Sequence, residues 1–200
     1  MIEAINLSNA HLYGDALFQQ FRFRYEQFVM RSAWDVPTFS GMEYDQFDTP
    51  ASVYLISRNR TGDVQGMIRL LPMSLPFMTK TLWPELYPEQ LDQLRTVGWE
   101  STRFAVSKQL PKNERTQIIA KLIIAALEFG IERGIKFYLM ISPLWIVRKV
   151  LEVVGLKPQI SHQSNTKDRI SSVILSIDPA SLELVRNKSG INGPVLRLLS

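Results

Sequence analysis

Three arginines occupy positions where the neighbouring residues predict a buried environment. Arg24 lies on a predicted helix whose one face follows an i, i+4, i+7, i+11 spacing and is otherwise apolar. The apolar members of that face are Leu17, Phe21 and Phe28. Arg69 and Arg103 lie in predicted β-strands. Because a buried charge without a partner is very costly, each arginine must either reach solvent along its stem or pair with a carboxylate.

Carboxylates that could pair with them lie in residues 31–50, which are predicted to form a long loop because they contain prolines and a glycine and lack a sustained period. The loop is aromatic, through Trp34, Phe39, Tyr44 and Phe47. It is also acidic, through Asp35, Glu43, Asp45 and Asp48. Sulfonium and ammonium groups are attracted to aromatic faces and to carboxylates, so this loop is suited to a cationic ligand. These residues predict a ligand class and not an identity.

A further carboxylate, Glu100, lies in the same predicted strand as Arg103. Simple alternation places Glu100 on one face with Thr102 and Phe104, and Arg103 on the other. Both can serve one site only if the strand bulges or if they meet around its edge. We therefore expect a buried network in which three arginines (Arg24, Arg69, Arg103) pair with Asp45, Asp48 and Glu100. The alternative is a sheet face whose charges are solvated.

The elements that must position these residues alternate between helix and strand. The patterns predict a helix over 14–30, strands over 52–58, 64–71 and 97–106, a helix from an Asn113 N-cap to Arg133, a strand over 136–141, a helix over 143–154, a strand over 171–177 and a short helix over 179–187. This order predicts an α/β fold, a mixed central sheet with helices on both faces, in one domain covering residues 1–200.

Composition excludes several kinds of site. The 200 residues include no cysteine and two histidines, so disulfides, thiolate metal sites and cysteine nucleophiles are excluded, and we expect no metal. The net charge of +4 favours an acidic partner. A nucleic-acid module would need a basic aromatic face, whereas the aromatic loop here is acidic, so we expect no nucleic-acid partner. No secretory signal or membrane-length apolar run is present, and we expect a cytoplasmic protein with no membrane contact.

Several strings occur in a fixed order: F-R-F-R-Y-E-Q-F-V from Phe21, then Trp34, Y-D-Q-F-D from Tyr44, G-M-I-R-L-L-P from Gly66 and W-E-S-T-R-F-A-V from Trp99. In this order and spacing the sequence resembles the acyl-homoserine lactone synthases, the LuxI-type autoinducer synthases of quorum sensing. The resemblance continues more loosely to Gly155.

The resemblance implies a fold like that of the N-acetyltransferases and a two-step acyltransferase reaction. The amine of S-adenosylmethionine attacks the thioester of an acyl chain on acyl carrier protein. The methionyl carboxylate then closes a lactone and expels methylthioadenosine. S-adenosylmethionine is a substrate here, and no cofactor is implied. Acyl-CoA is an alternative acyl donor. The alternative function is a same-fold N-acyltransferase that uses acyl-CoA on another amine.

The resemblance also assigns roles to residues. Those expected to be catalytic are Glu100, Arg103, Asp45 and Asp48, and those expected to shape the S-adenosylmethionine pocket are Arg24, Phe28, Trp34 and Arg69. Glu100 is the candidate general base, acting directly or through water. Apart from the resemblance, the thioester oxyanion needs donors, and backbone N–H groups at a bulge near Phe104–Val106 are candidates for them. Trp83 stands where the family often has phenylalanine. Leu139 stands where members making 3-oxo products tend to have threonine, so no 3-oxo preference is expected.

Two further sets of residues concern the acyl donor. An apolar set is predicted to line an acyl tunnel that favours a compact or medium chain, with ordinary core packing as the alternative; it comprises Phe104, Leu122, Leu139, Met140 and Trp145. Arg148 and Lys149 are predicted to help dock an acidic acyl carrier, with a solvated helix face as the alternative. The stretch SKQLPKNER from Ser107 has no glycine, which argues against an ordinary acetyl-CoA acetyltransferase.

Overall fold

One eight-stranded mixed sheet forms the centre of the computed structural model, which describes residues 1–164 and 170–198. Its strands, in spatial order, are β10 (Leu196–Arg197), β1 (Ile2–Ile5), β4 (Val53–Arg58), β5 (Val64–Pro72), β6 (Gly98–Val106), β7 (Phe137–Pro143), β9 (Ile170–Ser176) and β8 (Gln159–Gln163). The β10–β1 and β6–β7 pairs are parallel, and the other pairs are antiparallel. A small separate hairpin consists of β2 (Thr38–Phe39) and β3 (Met42–Glu43).

Helices cover both faces of the sheet, as the sequence predicted. Alternation along β5 places Ile68 and Leu70 in the largest apolar core, beneath α3 (Lys112–Glu132), α4 (Leu144–Leu151) and α5 (Pro179–Ser189). Met67 and Leu71 point to the opposite face, beneath α1 (Ala16–Arg24) and α2 (Met78–Leu82). Arg69 shares that second face, so its charge lies between two apolar clusters.

The strands β6 and β7 are joined at one end and separate at the other. Their pairing runs from Gly98 opposite Phe137 to Glu100 opposite Leu139 and goes no further, although β6 continues to Val106 and β7 to Pro143. A side chain on Gly98 would place its Cβ 2.3 Å from the Phe137 ring, so only glycine lets the strands meet there. Past Glu100 the two strands therefore have no ladder pairing with each other, and we call this unpaired stretch the cleft between β6 and β7.

The boundaries agree with the sequence for most elements and differ at a few. The expected Asn113 N-cap is wrong, because the helix already begins at Lys112, directly after Pro111. The sequence did not predict β1, β8, β10 or the β2–β3 hairpin. These strands are short, and β8 is largely exposed, so they carry no clear apolar alternation. Among the described residues, no helix is both long and apolar enough to cross a membrane.

Candidate active site

Arg24 is completely buried and is held by two carboxylates. Its Nε and Nη2 donate to Glu43 at 2.5 and 2.9 Å, and its Nη1 and Nη2 donate to Asp48 at 2.7 and 3.0 Å. Both contacts are bidentate, the geometry in which a guanidinium group binds a carboxylate most strongly. The alternative of an Arg24 side chain reaching solvent is therefore wrong.

Arg69 extends the same network from the middle of β5. Its Nη1 and Nη2 donate to the two oxygens of Asp45 at 2.7 and 3.0 Å, and its Nη1 lies 2.9 Å from Asp48. Its Nε donates to the Thr102 hydroxyl on β6 at 3.0 Å. Asp48 thus bridges Arg24 and Arg69, and it also accepts from the Tyr54 hydroxyl at 2.8 Å.

Arg103 reaches this face because β6 bulges, which is one of the two arrangements expected from the sequence. The β5–β6 register shifts between Met67 and Arg69, and Arg103 has a φ of +52°. The Nη2 of Arg103 donates to Glu43 at 2.9 Å and to Asp45 at 2.8 Å. The positive φ, uncommon for a residue other than glycine, marks a backbone that its surroundings must hold in place.

The expected network needs one correction. Its third carboxylate is Glu43, which is fully buried and binds both Arg24 and Arg103, and not Glu100. Sequence analysis placed Glu43 in the acidic loop but gave it no role. The signal that could have identified it is the turn at Ser40–Gly41, where both residues have positive φ and fold the hairpin that presents Glu43 inward.

Glu100 is also buried, but its partners are the first residues of α2. It accepts from the backbone N–H groups of Met78 and Thr79, each at 2.8 Å, and from the Thr79 hydroxyl. Burial raises the pKa of Glu100, and these neutral donors do not fully offset that effect. Glu100 lies where β6 and β7 separate, at the closed end of the cleft.

Glu43 and Asp48 in the network behave in the opposite way. Burial alone would raise the pKa of Glu43 and of Asp48, but hydrogen bonds from Arg24, together with the nearby arginine charges, lower both pKa values. The same pairing raises the pKa of Arg24 despite its burial. Three guanidinium groups face three carboxylates in this network, so their formal charges balance. Within residues 1–164 and 170–198, no group of metal-ligating side chains is arranged to hold a metal ion.

Two aromatic rings cover the outer side of this network. Phe28 and Trp34 stack with centroids 4.6 Å apart and an interplanar angle of 24°. The Arg103 guanidinium carbon lies 5.7 Å from the Phe28 centroid and 5.5 Å from that of Trp34. Trp34 follows a π-helical turn (Tyr25–Met30) and Ala33, which has a φ of +52°. Trp34 is 45% exposed, so this aromatic pair borders solvent next to the charged network.

The expected acyl-tunnel residues do not form one cluster. Phe104, Leu122 and Met140 pack in the core beneath α3, whereas Leu139 packs on the opposite face with Trp83, Phe77 and Phe137. Trp145 is 62% exposed on α4. Neighbouring residues on a strand point to opposite faces, so Leu139 and Met140 cannot line one wall. These residues are therefore divided between the two faces of the sheet, and the acyl tunnel stays a prediction. Leu139 and Trp83 lie on the face of the charged network.

The expected docking residues lie on the surface. Arg148 and Lys149 are exposed on α4, and the Arg148 Nε is 3.8 Å from Glu152. An exposed ion pair at this distance is weak. The basic side chains and the exposed Trp145 thus belong to one helix that begins where β7 ends.

Comparison with known proteins gives consistent results at the levels of sequence and fold. The sequence profile described as autoinducer synthase matches residues 8–185. The acyl-homoserine-lactone synthase of Aliivibrio fischeri (strain ATCC 700601 / ES114) is 32% identical over 127 residues, which cover 62% of this chain and 66% of that protein. The isovaleryl-homoserine lactone synthase of Bradyrhizobium diazoefficiens is 31% identical over 146 residues, which cover 72% of this chain and 65% of that protein. The alignments thus span just under two thirds of these relatives.

Two solved structures establish the fold class. The CoA-dependent acyl-homoserine lactone synthase BjaI superposes with a TM-score of 0.83 at 24% identity, covering 98% of this chain and 92% of that one. Aminoglycoside 6'-acetyltransferase type Ii superposes with a TM-score of 0.55 at 15% identity, covering 90% and 98%. The expected N-acetyltransferase-like fold is confirmed.

Proposed function

Because the chain belongs to the autoinducer synthase family, we propose that it is an acyl-homoserine lactone synthase that consumes S-adenosylmethionine and an acyl thioester. In this reaction the α-amine of S-adenosylmethionine forms an amide with the acyl carbon and releases the thiol. The carboxylate then attacks the methionyl Cγ, and methylthioadenosine leaves as the lactone closes. S-adenosylmethionine is a substrate, and the proposal includes no cofactor, metal or nucleic acid. It also includes the cytoplasmic location expected from the sequence.

The observation that carries this proposal is the neutral, buried network bordered by the Phe28–Trp34 pair. Every carboxylate of the network is bonded to a guanidinium group, so the network is a rigid wall and not a set of free anions. The partly exposed Trp34 ring offers a face to a sulfonium group. The Nη1 of Arg103 donates to a methionine sulfur and to no carboxylate among the described residues, so it is the donor proposed for a substrate carboxylate. A zwitterionic cation such as S-adenosylmethionine has both groups.

The acyl transfer step fits the cleft between β6 and β7. Glu100 lies at its closed end with a raised pKa, and a carboxylate whose pKa is closer to neutrality is better matched to accepting a proton from the attacking ammonium. Both Glu100 oxygens already accept from α2, so we propose transfer through a water molecule. Past Glu100, β6 has no strand partner on the β7 side, and its N–H groups near the Arg103 bulge are candidate oxyanion donors.

We propose that the acyl chain is compact or medium in length. The isovaleryl specificity in the name of the Bradyrhizobium relative supports a short donor. Leu139 packs in one cluster with the large rings of Phe77, Trp83 and Phe137, and we expect these rings to limit the depth available to the acyl chain. Leu139 has no polar atom to bind a 3-oxo group, so the unsubstituted chain should be the better substrate. Acyl carrier protein and CoA carry the same kind of thioester, so the two acyl donors are distinguished by comparing their kcat/KM values.

The test is incubation with S-adenosylmethionine and a panel of acyl-CoA and acyl carrier protein thioesters, followed by mass spectrometry. Equal release of methylthioadenosine and acyl-homoserine lactone supports the proposal, and kcat/KM across the panel identifies the donor and chain. Release of CoA without methylthioadenosine, when other amines are supplied, would instead support an N-acyltransferase acting on another substrate. A preference for long 3-oxo chains would overturn the proposed acyl specificity and leave the reaction class intact.

A further inference from the structure

Met78 connects the charged network with the apolar cluster around Leu139. It is the first residue of α2, and its backbone N–H donates to Glu100 at 2.8 Å. Its side chain is buried and packs in the same cluster as Leu139. Its sulfur lies 3.0 Å from the Nη2 of Arg69 and 3.7 Å from the Nη1 of Arg103. One thioether therefore contacts two guanidinium groups from neighbouring strands.

The contacts of Arg103 show why this sulfur matters. Its Nε and Nη2 donate to Glu43, and its Nη2 also donates to Asp45. Within the described residues, its Nη1 hydrogen-bonds only to the Met78 sulfur. A thioether is a weak acceptor, so it orients this nitrogen without saturating it. The Nη1 group is thereby left able to bind a substrate carboxylate.

Arg103 needs such support because its backbone is strained. Arg103 has a φ of +52°, and residues other than glycine at positive φ persist only where the surroundings fix them. Glu43 holds one edge of the guanidinium group, and the Phe28–Trp34 pair covers its face. Met78 contacts the remaining edge, where a leucine would offer packing but no acceptor.

We propose that Met78 is a positioning residue whose sulfur fixes the Arg69 and Arg103 guanidinium groups and thereby the binding of the S-adenosylmethionine carboxylate. The proposal rests on the proposed function for the identity of the substrate. It predicts that sulfur, and not side-chain volume, is the property required at position 78. It also gives a role to the hydrogen bond between Glu100 and the Met78 backbone N–H, because that bond fixes the position of the Met78 backbone and so of its side chain.

The test compares Met78→Leu with the control Met73→Leu. Met73 is fully buried in the same apolar cluster, but within the described residues its sulfur accepts no hydrogen bond from Arg69 or Arg103. We expect Met78→Leu to raise the KM for S-adenosylmethionine roughly 2- to 10-fold, the change that corresponds to the loss of one hydrogen bond, with acyl-chain preference unchanged. Met73→Leu should leave this KM as in wild type. An unchanged KM in Met78→Leu, or an equal rise in both variants, would overturn the proposal.

A second measurement is independent of activity. The side-chain NMR signals of Arg103 in the ligand-free protein report rotation about its Cζ–N bonds, and this rotation should become faster in Met78→Leu and not in Met73→Leu. Unchanged Arg103 signals in Met78→Leu would overturn the positioning role even if the KM changed. Failure of the wild-type protein to release methylthioadenosine would count against the proposed function alone, because the NMR comparison uses no substrate.

Discussion

Buried carboxylates on one face of the sheet accept hydrogen bonds from two kinds of donor, charged guanidinium groups and uncharged N–H and O–H groups. Glu43 and Asp48 are bound by guanidinium groups, which hold the pKa of each below its usual range although burial opposes this. Glu100 is bound by the neutral donors of α2, and burial keeps its pKa above the usual range. The two groups are joined by Met78, which contacts Glu100 through its backbone and the arginines through its sulfur.

This difference in pKa distinguishes two roles of a buried carboxylate, structural support of a pocket and exchange of a proton. A carboxylate with a lowered pKa stays ionised and cannot carry a proton near neutral pH, so the network is suited to shaping and holding a pocket. A carboxylate with a raised pKa can exchange a proton, so Glu100 is suited to acid–base chemistry. Substitutions in the network should therefore mainly lower the free energy of unfolding, and substitution of Glu100 should mainly lower kcat.

The largest expected effect is on catalysis, at Glu100. If Glu100 accepts the ammonium proton, Glu100→Gln should lower kcat by about 10²- to 10⁴-fold. In wild type, kcat should rise with pH as Glu100 loses its proton, and this rise should be absent in Glu100→Gln. The measurement is kcat against pH for both proteins. A variant that keeps the wild-type pH profile would show that Glu100 only anchors α2.

The next effect is on stability, at Glu43. Glu43→Gln leaves Arg24 and Arg103 without their shared carboxylate, and removal of one partner from a buried ion pair costs about 3–5 kcal/mol. Urea unfolding of Glu43→Gln and of the control Glu89→Gln, which changes an exposed glutamate, measures this loss. Equal stability of the two variants would contradict the view that the network holds the hairpin in place.

A smaller effect with a defined pH dependence is expected at Asp48. Its pKa is lower in the folded protein than in the unfolded chain, where it is about 3.9. Its stabilising contribution is therefore complete above that unfolded value and is lost as pH falls through the folded pKa. We expect Asp48→Asn to cost about 2 kcal/mol at pH 7 and progressively less as pH falls below 4. A stability difference from wild type that is independent of pH would contradict this assignment.

The smallest effect is expected on the surface helix α4. Replacing Arg148 and Lys149 by glutamate should raise the KM for an acyl carrier protein donor several-fold and weaken its salt dependence, while the KM for S-adenosylmethionine stays unchanged. Steady-state kinetics at two salt concentrations provide the measurement. If the KM for the carrier does not change, the carrier docks elsewhere, and Arg148 and Lys149 are solvated surface charges.

Sequence reasoning reached most of the fold and part of the site. Arg24, Arg69 and Arg103 stood out because charge in an apolar pattern is visible in one dimension. A bulge in the strand of Arg103 was one of the two arrangements that alternation left open, and the structure has it. Which carboxylate pairs with a buried arginine depends on the tertiary structure and cannot be read from the sequence pattern. Glu43 and Glu100 are both acids near aromatic residues, and only the hairpin turn and the start of α2 decide which of them meets a guanidinium group. Strand alternation could have separated Leu139 from Met140, since they are neighbours in one strand.

The interlocked arginines and carboxylates also bear on the order of folding. Arg103 and Glu43 are separated by 60 residues, so their contact closes a long loop and depends on β5 and β6 being paired first. A chain with a complete sheet but an undocked hairpin would carry three unpaired guanidinium groups on one face. Partial docking would bury charge without its partner, which makes the docking of residues 38–48 an all-or-none step. Residues 38–48 should therefore be the last to fold and the first to exchange their amide hydrogens as one unit.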